Sequence, residues 1–147
     1  MKRIIFLLLT LQLLLTSVCN AFEPPTDKRW LWLGSTDKAG CWLDTASTRY
    51  VIDDSYNHKN HKQVIVWILF YNAEKNSQSR HLVTCDISCE QYKTTQALIY
   101  DSQDNIIDSI NADFMNFESI PPETFAETIF IACQKLWYTD PRNDNLK

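Results

Sequence analysis

Residues 83–90 alternate without a break: Val83, Cys85, Ile87 and Cys89 take one face, Thr84, Asp86, Ser88 and Glu90 the other. Period 2 marks a strand with one buried face, because successive side chains of an extended backbone point to opposite sides. The alternation predicts a strand through this whole segment, with two cysteines on one face. At ~3.3 Å per residue their Cα atoms would lie roughly 13 Å apart, whereas a disulfide needs about 7 Å or less. A Cys85–Cys89 bond is excluded on this reading, and each cysteine needs a distant partner.

The rest of the chain supplies a sheet for that strand and a helix to close it. Residues 30–33 and 41–45 predict two short antiparallel strands around a turn that holds the chain's two glycines, Gly34 and Gly40. Residues 48–62 are polar, a loop with a short extended piece at Tyr50-Val51-Ile52. Residues 64–71 are apolar on both alternating faces, as in a central strand covered on both sides. A hairpin loop at 72–79, strands at 92–100 and 106–110, and a turn at 102–105 follow.

Beyond Ser119 the period becomes helical. Phe125, Ile129, Cys133 and Leu136 recur along one face with Ala132 beside them. A cap at Ser119 and first-turn prolines Pro121 and Pro122 precede them. The predicted fold class is α+β: an antiparallel meander sheet of about six strands with one C-terminal helix packed on one face. Cys133 on the buried helix stripe suits either Cys85 or Cys89. That leaves Cys89–Cys133 with Cys41–Cys85, or the swapped pairing. The Cys-x3-Cys spacing lacks the Cys-x2-Cys of redox and zinc motifs, so structural bridges are expected, with no metal site and no cofactor.

The N-terminus gives those thiols an oxidising destination. Lys2 and Arg3 precede an apolar run from Ile4 to Leu15, and small or polar residues close at Ala21, the three parts of a secretory signal peptide. The run is shorter than the ~20 residues a membrane span needs, so no integral span is expected after cleavage. Lipidation at Cys19 is the lesser alternative, since Val18 and Thr16 stand where small and aliphatic residues are required. The expected organisation is a signal peptide at 1–21, one domain at 22–139 and a flexible tail at 140–147. Removing Lys2 and Arg3 takes the basic count from 14 to 12 against 18 acidic residues, a net of −6. So acidic a chain is a poor partner for nucleic acid or anionic membranes. Two glycines are too few for a phosphate-cradling loop.

The order of motifs resembles the surface-adhesin protein E family. The resemblance rests on Trp30, Leu33-Gly34, Asp37-Lys38-Ala39-Gly40 and Trp42-Leu43-Asp44-Thr45-Ala46-Ser47. It continues through Val66-Trp67, Asp86 to Cys89, Tyr100-Asp101-Ser102-Gln103-Asp104, and Ser119-Ile120-Pro121-Pro122-Glu123-Thr124 leading to Cys133. It spans Trp30 to Cys133. It implies an exported bacterial protein with a six-stranded sheet, a C-terminal helix and a cysteine pair matching Cys89 and Cys133. Cys41 and Cys85 are then an additional pair. The adhesin that names the family binds host extracellular-matrix and plasma proteins and is lipid-anchored, a feature this chain's leader departs from.

Other candidate chemistry is sparse. His58 and His61 lie near Asp53 and Asp54 in a polar loop, a metal-like grouping that solvated loops collect freely. His81 stands alone at a strand start and reads as structural. Asp86 and Glu90 on one polar strand face are the right type for acid–base work, but alternation alone places acidic residues there. Asp44 and Ser47 suit turn hydrogen bonds. The five tryptophans suit a core, or, if some are exposed, a binding surface. Lys147 is a C-terminal lysine, a type of group that lysine-binding host modules can capture.

The function expected is an exported adhesin E-like domain that binds proteins without catalysis. The binding face and oligomeric state are left open, and the alternative is a periplasmic accessory protein with no host ligand.

Overall fold

A computed structural model describes residues 25–54, 60–101, 103–112 and 116–146. The leader, Cys19, His58 and Lys147 lie outside the described residues. Among the described residues eight strands form one antiparallel sheet: β1 (Trp30–Ser35), β2 (Ala39–Asp44), β3 (Arg49–Asp53), β4 (His61–Asn72), β5 (Ser77–Asp86), β6 (Gln91–Tyr100), β7 (Ile106–Asn111) and β8 (Glu118–Ser119). The main path runs β1-β2-β4-β5-β6-β7, six strands as expected, while short β3 and β8 pair with β4 and β6 off that path. Among the described residues one α-helix, α1 (Phe125–Thr139), follows. The chain is thus α+β, an antiparallel sheet closed by a C-terminal helix.

Strand β4 organises the sheet. Its residues 68–72 pair with β2, residues 61–65 pair with β3, and its other edge pairs with β5 along the length. Its even-numbered side chains Val64, Val66 and Ile68 are fully buried under the helix with Cys41, Leu43, Val83 and Cys85. The helix crosses from one end of β4 to the other. Phe125 meets the Phe70 ring with centroids 5.9 Å apart, and Trp137 meets Tyr50 at 5.8 Å.

Helix α1 begins later than the cap signal at Ser119 suggests. Thr124 is the cap, accepting the Glu127 N–H, and Glu127 reaches back to accept the Glu123 N–H at 2.8 Å. Pro121 and Pro122 precede the helix, and Ser119 belongs to β8. The buried stripe takes Ile129, Phe130, Cys133 and Trp137, with Phe125, Ala132 and Leu136 partly buried against the same core.

The strand expected through 83–90 stops at Asp86, a second correction. Residues 87–90 turn into β6, and Glu90 has φ 55°, left-handed backbone that non-glycine residues seldom adopt. Ile87 is still buried, so the alternation of apolar side chains outlasts the strand.

The tail is also more tightly held than a polar end suggests. Residues Pro141–Leu146 form a 3-10 helix in which Asn143 is buried and donates to the Trp137 carbonyl. Asp140 accepts from the Tyr50 hydroxyl at 2.6 Å and from Arg142, whose guanidinium also donates to the Thr45 carbonyl at 3.1 Å. Hydrogen bonding from Arg142 above all holds the Asp140 carboxyl well below the usual carboxylate range, while burial pushes the Tyr50 hydroxyl up. A depressed carboxylate stabilises the fold above its unfolded value of ~4 and loses that contribution as pH falls through the folded value. Asp140→Asn should therefore cost about 1–2 kcal/mol at pH 7. Its deficit in urea unfolding should narrow steadily below about pH 4; a deficit that does not change with pH would contradict the assignment.

Candidate binding face

The sheet has two faces and the helix covers one. Pairing in antiparallel register keeps Trp30 and Trp32 of β1, Gly40, Trp42 and Asp44 of β2, and Trp67 and Leu69 of β4 on the opposite side. Four of the five tryptophans therefore lie away from the helix, and Trp137 alone is in the core beneath it. Trp32 is 50% exposed. It meets Trp42 edge-on with centroids 4.7 Å apart. Gly40 makes this packing possible: a Cβ there would sit 2.6 Å from the Trp42 ring.

Two depressions open on this face. A groove of about 510 Å³ runs between Trp32, Trp42, Tyr71 and the 35–40 turn. A smaller cavity of about 190 Å³ is walled by Trp30, Trp67, Leu98 and Tyr100 and holds Arg29, Asp44 and Arg80. Arg29 grips the buried Asp44 carboxylate with both Nε, at 3.0 Å, and Nη2, and lies over the Trp30 ring. That pairing raises the Arg29 pKa, first through hydrogen bonding and then through Asp44's charge, so the guanidinium stays charged. Asp44 also accepts the Ala46 N–H at 3.1 Å, and Ser47 donates to the Asp44 carbonyl, the turn role expected of both. Arg80 lies 4.8 Å over Tyr100, and its Nε is buried with no protein acceptor.

Indole faces and fork-shaped guanidinium donors on the sheet face away from the helix suit the capture of protein side chains, where such groups carry most of the binding energy. Sequence reasoning flagged the tryptophans but not Arg29 or Arg80. The shared parity of Trp30 and Trp32 was a visible signal; the meeting of Arg80 with Tyr100 depends on β5–β6 register.

The cysteines match neither expected pairing in full, the swapped one sharing only the Cys85–Cys133 contact, and no disulfide joins the four described ones. Cys85 and Cys133 are buried hydrogen-bond neighbours, a contact that with burial raises the Cys133 thiol well above its ordinary pKa. Cys89 is exposed in the β5–β6 turn. The Cys89–Cys133 pairing is therefore not the arrangement found. Cys41–Cys85 is barred by register. Cys41 stands opposite Phe70 and Cys85 opposite Val64, six residues along β4. That spacing is roughly 20 Å along the strand, far beyond disulfide reach. Burial pushes the Cys41 thiol up to about 12.

The remaining candidates separate. His61 bonds Asp86 at 2.7 Å, although Asp53 is its cross-strand neighbour; Asp53 instead accepts from Gln63, and Asp54 accepts the Asn60 N–H. His81 lies in the middle of β5, half-buried against Phe70 and 3.0 Å from the Ser79 hydroxyl, and burial lowers its pKa. Asp86 is buried at the end of β5 while Glu90 is exposed in the turn, so the two do not share a polar strand face. Among the described residues no helix is long and apolar enough to cross a membrane. Compared with known family models, with curated proteins and with solved structures, the chain matches none.

Proposed function

We propose that this chain is an exported bacterial domain of the surface-adhesin E type that binds a protein ligand, without catalysis, through the tryptophan-bearing face of its sheet. The observation that carries the reading is the exposed indole of Trp32, beside Trp42 and the Arg29–Asp44 and Arg80 cavity, on a face the helix leaves open. Large aromatic and arginine side chains are what protein interfaces concentrate at their energetic centres. The order of motifs from Trp30 to Cys133 supports the same reading and points to a host matrix or plasma protein as ligand. The buried contact between Cys85 and Cys133 supports the proposal that these two form a bridge in the oxidising compartment this destination implies. Purified protein should bind immobilised laminin or vitronectin saturably. Binding no greater than to an albumin-blocked surface would refute a host ligand and favour a periplasmic accessory role.

A further inference from the structure

At the far end of β4 from the groove, three side chains of different chemistry converge. His61 opens β4, Asp86 closes β5 and Cys89 sits in the turn beyond it. One ligand atom from each lies within 4.8 Å of the others. We propose that His61 Nδ1, Asp86 Oδ2 and Cys89 Sγ bind a single divalent cation of the zinc class.

Distances, rigidity and ligand softness all support the site. The Cys89 Sγ stands 3.6 Å from His61 Nδ1. Tetrahedral zinc, with Zn–S of ~2.3 Å and Zn–N of ~2.0 Å, requires a sulfur–nitrogen separation of about 3.6 Å. Asp86 Oδ2 stands 2.7 Å from the same nitrogen, hydrogen-bond range, so the carboxylate must withdraw by roughly 0.6 Å when a metal replaces the shared proton. On binding, the thiol proton leaves to solvent and the proton shared by Nδ1 and Oδ2 is displaced from Nδ1, either to solvent or to Nε2, leaving a neutral imidazole with its one proton on Nε2.

The supports are already built. Asp86 Oδ1 accepts the Ser88 and Cys89 N–H groups at 2.9 and 3.1 Å, which aims Oδ2 at the histidine. The turn is stitched to the start of β4 by Ile87 N–H to the Lys62 carbonyl at 2.7 Å and by Lys62 N–H to the Ser88 hydroxyl at 3.0 Å. Asp86 is buried and Cys89 exposed, so the remaining coordination position opens to water or to a donor from a partner. Imidazole and thiolate select zinc-class ions over calcium or magnesium, which take oxygen ligands.

A cysteine-nucleophile reading fits the geometry less well. The sulfur is nearly equidistant from the two ring nitrogens, at 3.6 and 3.9 Å, and the nearer one already faces Asp86. No nitrogen is aimed at the thiol while the other is held by the acid, as a Cys–His–Asp triad requires.

The test is Co²⁺ titration of the full chain, reduced and stripped with chelator. One equivalent should bind with a thiolate-to-cobalt charge-transfer band that Zn²⁺ displaces and Ca²⁺ does not. Cys89→Ser should abolish the band, and Cys89→Ser and His61→Gln should each weaken Zn²⁺ binding by at least about 100-fold. Cys89 is exposed and His61 partly buried at the start of β4, and circular dichroism is the check that each variant remains folded; should one not fold, the other decides. Absence of saturable binding overturns the site. So does a band that survives in Cys89→Ser, since another thiol would then hold the metal.

Discussion

Trp137→Ala should remove about 3–5 kcal/mol of folding stability, the range for deleting a large buried aromatic side chain. Trp137 is 1% exposed and is the largest fully buried side chain described. Its ring packs edge-on against Tyr50 of β3, and its carbonyl accepts from Asn143 of the terminal 3-10 helix. One residue thus joins the last turns of α1 to the sheet and to the tail. The cavity left behind has little means of closing, because Val64 and Cys133 nearby are held in the same close-packed core. A typical domain has only ~5–15 kcal/mol to lose, so the variant should unfold at markedly lower urea concentration. A midpoint close to that of the unaltered protein would show that the helix end is not anchored through this ring.

Arg29→Ala should be the second most costly change, at about 2–4 kcal/mol. Asp44 is buried, and removal of Arg29 leaves its carboxylate with the Ala46 N–H but without its cationic partner. Breaking a buried pair from one side is expensive because the surviving charge is stranded. The half-exposed position of the Arg29 side chain lets water restore part of that loss, which sets the figure below the full range for deeply buried pairs. Arg29→Ala combined with Asp44→Asn should therefore cost less than the sum of the two single changes in a double-mutant cycle. Additive costs would mean that the pair contributes no coupling.

The sheet and helix were legible because period 2 and period 3.6 were each sustained over many residues. Strand β4, apolar on both faces at 64–71, reads as central and proves so. The misreading at residues 87–90 has a specific cause. Ile87 still reaches the core from the turn, and Glu90 takes left-handed backbone without a glycine or asparagine to announce it. Because the two cysteines were assigned to one strand, the expected thiol pairing inherited the error. Asp86 followed by Ser88 was the available signal, since an aspartate that accepts amides two and three residues on starts a turn. The tail escaped notice for another reason: Asn143 is buried by tertiary contact with the helix end, which no local pattern encodes. The tryptophan face was half legible. Trp30 and Trp32 share parity, but their meeting with Trp42, Trp67 and Arg80 depends on strand order and register.

Ligand binding by two variants with changes on opposite sides of the molecule tests the central claim most directly. Trp32 is exposed on the open sheet face, and Ile131 is 56% exposed on the outer side of α1. Surface plasmon resonance on an immobilised matrix ligand should show Trp32→Ala weakening affinity by about 2 kcal/mol, or about 30-fold, as expected when an aromatic anchor is truncated. Ile131→Ala should bind as the unaltered protein does. Equal affinity for all three proteins, or a loss confined to Ile131→Ala, would contradict the assignment of the tryptophan face as the binding surface.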